Sequence, residues 1–244
     1  MSGTLRVGLF GAGRLGRAIA TRLGDRMLWQ VTRTAPPATT VDVAIEAASG
    51  AAVPARLDWA LATGTPLVIG STGWDLPDLA TRVGDRIGVV VAPNFSLGVA
   101  LLRRLALVLG RFAARDAALD PYVIEHHQAQ KHDAPSGTAK LLAATLLDGC
   151  PRKRSWTIGG PLAADELSIG VVRAGSTYSE HRVGVDAPAE VLELVHTARS
   201  AAAFAEGAVA AATWIRGRKG VFPMDEVARS VLDPLFTGLG GGNA

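Results

Sequence analysis

At 244 residues the chain has room for one large unit or two modest domains, each able to bury a core of its own. Hydrophobic residues make up 48% and aromatics 5%, with a formal charge of only +3, which indicates a globular α/β protein rich in Ala, Val and Leu and excludes a disordered bias. The basic residues Arg14, Arg17, Arg22 and Arg26 are scattered without aromatic interleaving, so no nucleic-acid face is expected. Cys150 is the only cysteine, which rules out an intramolecular disulfide or a cysteine zinc cluster and reads as an inert thiol. No stretch approaches the about 18 apolar residues of a membrane span, since Leu97 to Leu109 is broken by Arg103 and Arg104. Met1 to Gly13 lacks the layout of a secretory signal, so the expectation is a soluble protein of a reducing cytoplasm.

Leu5 to Phe10 reads as a buried strand that ends in the loop Gly11 to Gly16, followed by a helix through Leu23. Met27 to Thr32 reads as a second strand, and Val41 to Ala47, Pro66 to Gly70 and Ile87 to Val91 as three more. Strands spaced by helix-length segments imply right-handed crossovers and a parallel sheet of the Rossmann type. After Ala92-Pro93-Asn94 the texture changes. Ser96 stands where it can cap a helix from Leu97 to Ala114, Tyr122 to Glu125 reads as a strand, and Ser136 to Leu147 as another capped helix. Glu166 to Val172, Glu180 to Val185 and Glu190 to His196 alternate like strands of a mixed sheet. The fold class predicted is therefore α/β, a parallel dinucleotide-binding domain over 1–93 plus an α+β substrate-binding and oligomerisation domain over 94–201. The Ala-rich helix Ala202 to Ile215 begins a tail, 202–244, that rejoins the first domain and ends in a frayed Gly238 to Gly242.

Gly11-Ala12-Gly13-Arg14-Leu15-Gly16 fits G-x-G-x-x-G between a strand and a helix. Gly11 permits the tight turn, Gly13 lets backbone approach a pyrophosphate, and Gly16 lets helix and strand pack closely. The helix start then offers oriented N–H groups to the phosphates, although a purely structural glycine turn would look the same. An NAD-preferring fold carries an acid about 20 residues on, whereas here the second strand runs into Val31-Thr32-Arg33-Thr34. Arg33 puts a guanidinium where a 2′-phosphate would lie, which favours NADPH with NADH also accommodated; a solvated surface arginine is the competing reading.

The segment Glu125-His126-His127-Gln128-Ala129-Gln130-Lys131-His132-Asp133-Ala134-Pro135-Ser136-Gly137-Thr138-Ala139 places titratable groups just before a helix start. Ser136, Gly137 and Thr138 would offer backbone N–H groups and two hydroxyls to a carboxylate, with no side chain at Gly137 to block approach. Lys131 supplies a cation and a transferable proton that His127 could tune or relay. Each residue alone has a bland alternative, a structural histidine or a solvated lysine. Three histidines within seven positions could suggest a metal site, but the cofactor loop and the Ser-Gly-Thr helix start argue against it and no metal is expected.

On these residues the chain resembles the 4-hydroxy-tetrahydrodipicolinate reductase family, whose signature is His-His-x-x-Lys-x-Asp-Ala-Pro-Ser-Gly-Thr-Ala; Lys131 to Ala139 matches its latter part. The resemblance extends to Val7 to Gly16, Ser71-Thr72-Gly73, Ala92-Pro93-Asn94-Phe95-Ser96, the stretch Phe204 to Ala208, and Met224-Asp225-Glu226-Val227. It implies Lys131 as proton donor with His127 beside it, and Ser136, Gly137 and Thr138 as a carboxylate cradle. Thr72, Gly73, Ala92 and Asn94 become nicotinamide-side contacts, with Ser71 and Phe95 as further coenzyme-binding residues. The implied reaction reduces hydroxy-tetrahydrodipicolinate, with loss of water, to tetrahydrodipicolinate in lysine and diaminopimelate biosynthesis. The implied partners are a small dicarboxylate and, as a homotetramer, three further copies of the chain, with neither membrane nor nucleic acid. The histidine pair lies one residue further from Lys131 than in the signature, so either His127 and Gln128 take the two histidine positions, Gln128 as a substrate contact, or one residue is inserted. A family arginine before the late helix falls at Ala201, with Arg199 two positions earlier. These departures leave room for a paralogous imine or amino-acid dehydrogenase acting on a related dicarboxylate, or for a catalytically silent NADPH-binding sensor.

Overall fold

The computed structural model describes residues 4–160 and 162–238; the glycine run beyond Gly238 lies outside the described residues. In chain order its elements are β1 (Val7–Phe10), α1 (Arg14–Leu23), β2 (Met27–Val31), β3 (Val43–Glu46), α2 (Val53–Thr63), β4 (Leu67–Ile69), α3 (Leu79–Val83) and β5 (Gly88–Val91). They continue with α4 (Leu97–Ala113), β6 (Asp120–His127), α5 (Gly137–Gly149), β7 (Ser155–Ile158), β8 (Glu166–Arg173), β9 (Ser179–Ala187), β10 (Glu190–Ala198), α6 (Ala202–Trp214), β11 (Gly220–Pro223) and α7 (Met224–Leu232). The chain divides into two units, Met1–Leu97 with Ala201–Ala244, and Gly98–Ser200.

In the first unit six parallel strands stand in the order β11-β5-β4-β3-β1-β2. Alternate side chains leave opposite faces of a strand, and here both faces are covered. Val7, Leu9, Val43, Ile45, Val68 and Val90 pack with Ile19 and Leu23 of α1 and with Ala208 and Ala212 of α6. Phe10, Ala44, Leu67, Ile69 and Val89 pack with Leu57 of α2 and Val83 of α3 on the other side. Full burial of each such Leu, Ile or Phe is worth roughly 1.5–3 kcal/mol, which is why runs of three or four residues suffice as strands. Strand order reverses between β1 and β3, and the loops after β1 to β5 all emerge at the C-terminal edge, where α/β sheets collect ligands.

The second unit is a mixed sheet, β10-β9-β6-β8-β7, with β6 parallel to β8 and antiparallel to β9. On one face Val123, Leu167, Ile169 and Val183 pack with Leu102 and Leu109 of α4 and with Leu142 and Leu146 of α5. Cys150 is fully buried in that layer. β6 runs to His127 rather than stopping at Glu125 as the sequence suggested, because neighbours on both sides extend its ladder. β7 and β11 carry no strong sequence signal, being short and partly exposed.

Candidate active site

The glycine loop sorts its glycines by environment. Gly11 has φ of 107°, and a Cβ there would lie 2.4 Å from the Ala47 carbonyl oxygen. A Cβ on Gly16 would lie 2.4 Å from the Gly11 carbonyl oxygen, whereas one on Gly13 would meet nothing within 4 Å. Two glycines are thus held by protein packing, and the third borders open space at the N-terminus of α1, whose first turn carries no acid to repel an anion. The Gly11 N–H donates to the Val31 carbonyl at 2.8 Å and Gln30 Nε2 donates to the Gly11 carbonyl at 2.8 Å, so the loop is pinned before any ligand arrives. These features fit a dinucleotide pyrophosphate.

Arg33 stands exposed in the bend after β2. Sequence reasoning passed over Arg56, whose guanidinium donates to the Thr32 carbonyl at 2.9 Å and lies 4.3 Å from the centre of the Phe10 ring, a second cation beside the same loop. After β4, the Trp74 indole N–H donates to the Ser71 carbonyl at 2.7 Å, and Gly50 presses so closely that a Cβ on it would lie 2.4 Å from the Thr72 carbonyl oxygen. Buried Glu46 ties that neighbouring loop by accepting the N–H groups of Ala48 and Ser49 at 2.8 and 3.1 Å. Asn94 Oδ1 accepts the Ser96 N–H at 2.8 Å and shapes the turn after Ala92. The Phe95 ring is buried in the core against Gly70, where a Cβ would lie 2.3 Å from it.

In the second unit, the period of two puts Glu125 and His127 on the helix-covered face of β6 and turns His126 to the other, where its Nε2 meets the Ala174 carbonyl at 3.0 Å. Register then completes a cluster. His181 on β9 stands directly opposite Glu125, and Arg173 on β8 directly opposite His127. Glu125 is fully buried, with its Oε1 accepting from Arg173 Nη2 at 2.6 Å and from the Ser136 N–H at 3.0 Å. Desolvation by burial is outweighed by nearby His181 and by the hydrogen bonds from Ser136 and Arg173, which hold its carboxyl well below the usual range. His127 Nδ1 lies 3.5 Å from Glu125 Oε2, and burial, followed by the charges of its neighbours, lowers its pKa to about 4. It is therefore a neutral imidazole at neutral pH. Glu125, His127 and His181 present potential metal-ligand atoms within 4.8 Å of one another, a trio the linear reading did not assemble; the Arg173 guanidinium already supplies positive charge to this carboxylate.

Beyond the strand, Lys131 pairs with Asp133 at 2.7 Å, and this partner lowers the Asp133 pKa. The Lys131 turn is fastened by its own N–H to the Gln128 carbonyl at 3.1 Å and by the Ala129 N–H to the Gly175 carbonyl at 3.2 Å. Ser136 caps α5 by accepting the Ala139 N–H at 3.2 Å, meets His181 Nε2 at 3.2 Å, and spends its own N–H on Glu125. Ser136 thereby shapes the helix start at which the sequence places a carboxylate. Gly137 and Thr138 open the helix, and a Cβ on Gly137 would meet nothing within 4 Å. The β6 ladder shows no bulge, so whichever way the histidines align with the signature, His127 is the one inside the cluster. Arg173 and His181, like Glu125, were not expected as site residues.

The description Dihydrodipicolinate reductase, N-terminus, matches residues 29–95, and Dihydrodipicolinate reductase, C-terminus, matches residues 98–228. A protein of Gluconacetobacter diazotrophicus named 4-hydroxy-tetrahydrodipicolinate reductase is 34% identical over 91% of this chain and 96% of its own length. One of the same name from Myxococcus xanthus is 34% identical over 89% of this chain and 83% of its own. Among solved structures, dipicolinate-bound dihydrodipicolinate reductase from Paenisporosarcina sp. TG-14 matches with a TM-score of 0.74 at 19% identity, covering 92% of this chain and 99% of that one. An engineered D-amino acid dehydrogenase bound to NADP+ shares the fold at a TM-score of 0.52 and 15% identity, covering 95% and 97%. Matched in both halves and along nearly its full length, the chain belongs to the dihydrodipicolinate reductase family.

Proposed function

We propose that this protein reduces 4-hydroxy-tetrahydrodipicolinate to tetrahydrodipicolinate, with loss of water, at the expense of a reduced nicotinamide dinucleotide. The observation that carries the reading is the helix start at Gly137, open to an anion and preceded within one pinned loop by the ammonium of Lys131. The first unit supplies Gly11 to Gly16 for the pyrophosphate, with Thr72, Gly73, Ala92 and Asn94 as further contacts; when bound, the nicotinamide supplies the hydride. In the second unit the α5 N-terminus orients a substrate carboxylate through backbone N–H groups, and Gln128 stands ready as a further contact. Lys131 Nζ holds the proton that completes the reduction, and Asp133 at 2.7 Å holds that group in position. Arg33, with Arg56 beside it and no acid at the end of β2, supports a preference for NADPH over NADH.

We further infer self-association through the helix-free face of the second sheet, consistent with a homotetramer, and a cytoplasmic setting, consistent with the lone buried Cys150. Among the described residues no helix is long and apolar enough to cross a membrane.

The test is steady-state oxidation of NADPH and of NADH with enzymatically generated substrate. Turnover is expected with both, at lower KM for NADPH, and Lys131→Ala should lower kcat by about 10²- to 10⁴-fold while coenzyme affinity holds. Arg33→Asp should cost NADPH affinity roughly 10- to 100-fold, the worth of a charged hydrogen bond to phosphate, and spare NADH. Absence of turnover, or full turnover by Lys131→Ala, defeats the reading.

A further inference from the structure

We infer that Glu125 is the positioning residue of this site: its buried carboxylate fixes His127 in the Nδ1–H tautomer and, through Ser136 and Arg173, anchors the loop that carries Lys131. The inference rests on the proposed roles of His127 and Lys131 and adds what holds them.

The two carboxylate oxygens have separate tasks. Oε1 takes the Ser136 N–H at 3.0 Å and Arg173 Nη2 at 2.6 Å. The same guanidinium nitrogen also donates to the Asp133 carbonyl at 2.6 Å, so one carboxylate grips the loop near Lys131 and at the α5 cap together. Oε2 is buried without a hydrogen bond of ordinary length, and so is His127 Nδ1, which lies 3.5 Å from it. A lone pair on that nitrogen would face a carboxylate oxygen in a dry environment. Placing the ring's one proton on Nδ1 turns this repulsion into a hydrogen bond after a small rotation, and leaves the Nε2 lone pair as the functional end.

The other groups around the carboxylate agree. His181 lies 3.6 Å from Oε2 at its Nε2, with Ser136 Oγ at 3.2 Å from that nitrogen and Ser179 Oγ at 3.4 Å from its Nδ1. Each His181 nitrogen thus has a serine hydroxyl partner of its own, so His181 does not depend on the His127 proton. The charged groups facing His127 are Glu125, Arg173 and Lys131, with His181 edge-on at a ring separation of 5.1 Å. The two cations oppose a second proton on His127 without disturbing the first. A divalent ion could bridge the same three ligand atoms instead, but it would have to share the carboxylate with Arg173.

Long-range ¹H–¹⁵N correlation NMR on histidine-labelled full-length protein reads the tautomer directly, with His127→Gln used for assignment. A neutral Nδ1–H form is expected from about pH 5 to 8. Glu125→Gln presents an amide N–H₂ to His127 and should move the proton to Nε2, lowering kcat about tenfold or more while the KM for NADPH holds. An Nε2–H or doubly protonated ring in the unmodified protein, an unchanged tautomer in Glu125→Gln, or a stoichiometric divalent metal in the purified protein would each overturn the assignment. The tautomer measurement needs neither substrate nor turnover, so it stands or falls separately from the proposed reaction.

Discussion

Gly13 and Gly16 share one loop, yet their surroundings demand glycine for different reasons. Gly16 is closed off by the Gly11 carbonyl oxygen, whereas the space beside Gly13 is empty of protein. Gly16→Ala should therefore destabilise the fold by about 1–3 kcal/mol, the usual cost of overpacking. Gly13→Ala should leave stability within about 0.5 kcal/mol, because the extended φ and ψ there suit alanine. It should nevertheless weaken coenzyme binding, since the added methyl occupies the space a pyrophosphate needs. Urea unfolding and fluorescence titration with NADPH measure both halves; equal loss of stability in the two variants would refute the distinction. The contiguity of this loop is what made it readable in the sequence, and the same holds for Lys131 to Thr138. Arg173 and His181 lie 48 and 56 positions from Glu125, and only strand register brings them to it. For Ser136 and Phe95 residue type shows a hydroxyl and a ring, but not that the hydroxyl caps a helix and the ring packs in a core.

β6 is the element on which the site depends, and its alternation has a consequence for pH. His127 has a folded pKa of about 4 against an ordinary 6.5, lowered first by burial, and that of His196 is lowered in the same direction by the same cause. A depressed pKa means that the unfolded chain binds more protons between those values, so this contribution to stability is complete above about pH 6.5 and is lost as pH falls toward 4. Each such group contributes at most about 1.4 kcal/mol per pH unit. Glu125, also depressed, extends the loss at lower pH through its own protonation. Urea unfolding across this range should show the decline, and His127→Gln should flatten part of it; an unaltered slope would count against a buried neutral imidazole. Strands such as β1 and β3 were legible because unbroken apolar runs mark a doubly covered sheet. β7 and β11 were not, since a half-exposed tetrapeptide and one ending in Pro223 draw their strand geometry from a neighbour's edge rather than from their own pattern.

For the whole molecule, the change in texture after β5 is where the sequence places the boundary between two units. The boundaries fall at Leu97 and Ala201, near the expected 93 and 202, because α4 begins within the first unit's span rather than after it. What single-chain patterning shows less plainly is the purpose of the second sheet's uncovered side. α4 and α5 cover the face of Val123, Leu167 and Val183. Register puts Tyr122, Ile124, Val172, Val191 and Val195 together on the opposite face, with Val172, Val191 and Val195 exposed by 42%, 58% and 52%. β-branched residues on an exposed sheet face gain little from water, whereas a stable interface needs roughly 800 Å² from each partner at about 25 cal/mol per Å² of apolar surface. The network of Tyr122 with Glu193 at 2.7 Å and of Arg182 with Glu180 at 2.9 Å lies among these residues and would then fix the register of the contact. Light scattering on the eluting protein should report an assembly of more than one chain, and Val191→Lys with Val195→Lys should reduce it to a smaller species of unchanged circular dichroism. Because both valines lie on the far face from Glu125 and His127, coenzyme affinity should survive the change. A monomeric parent protein at micromolar concentration, or a lysine variant of undiminished mass, would show that this face serves some other end.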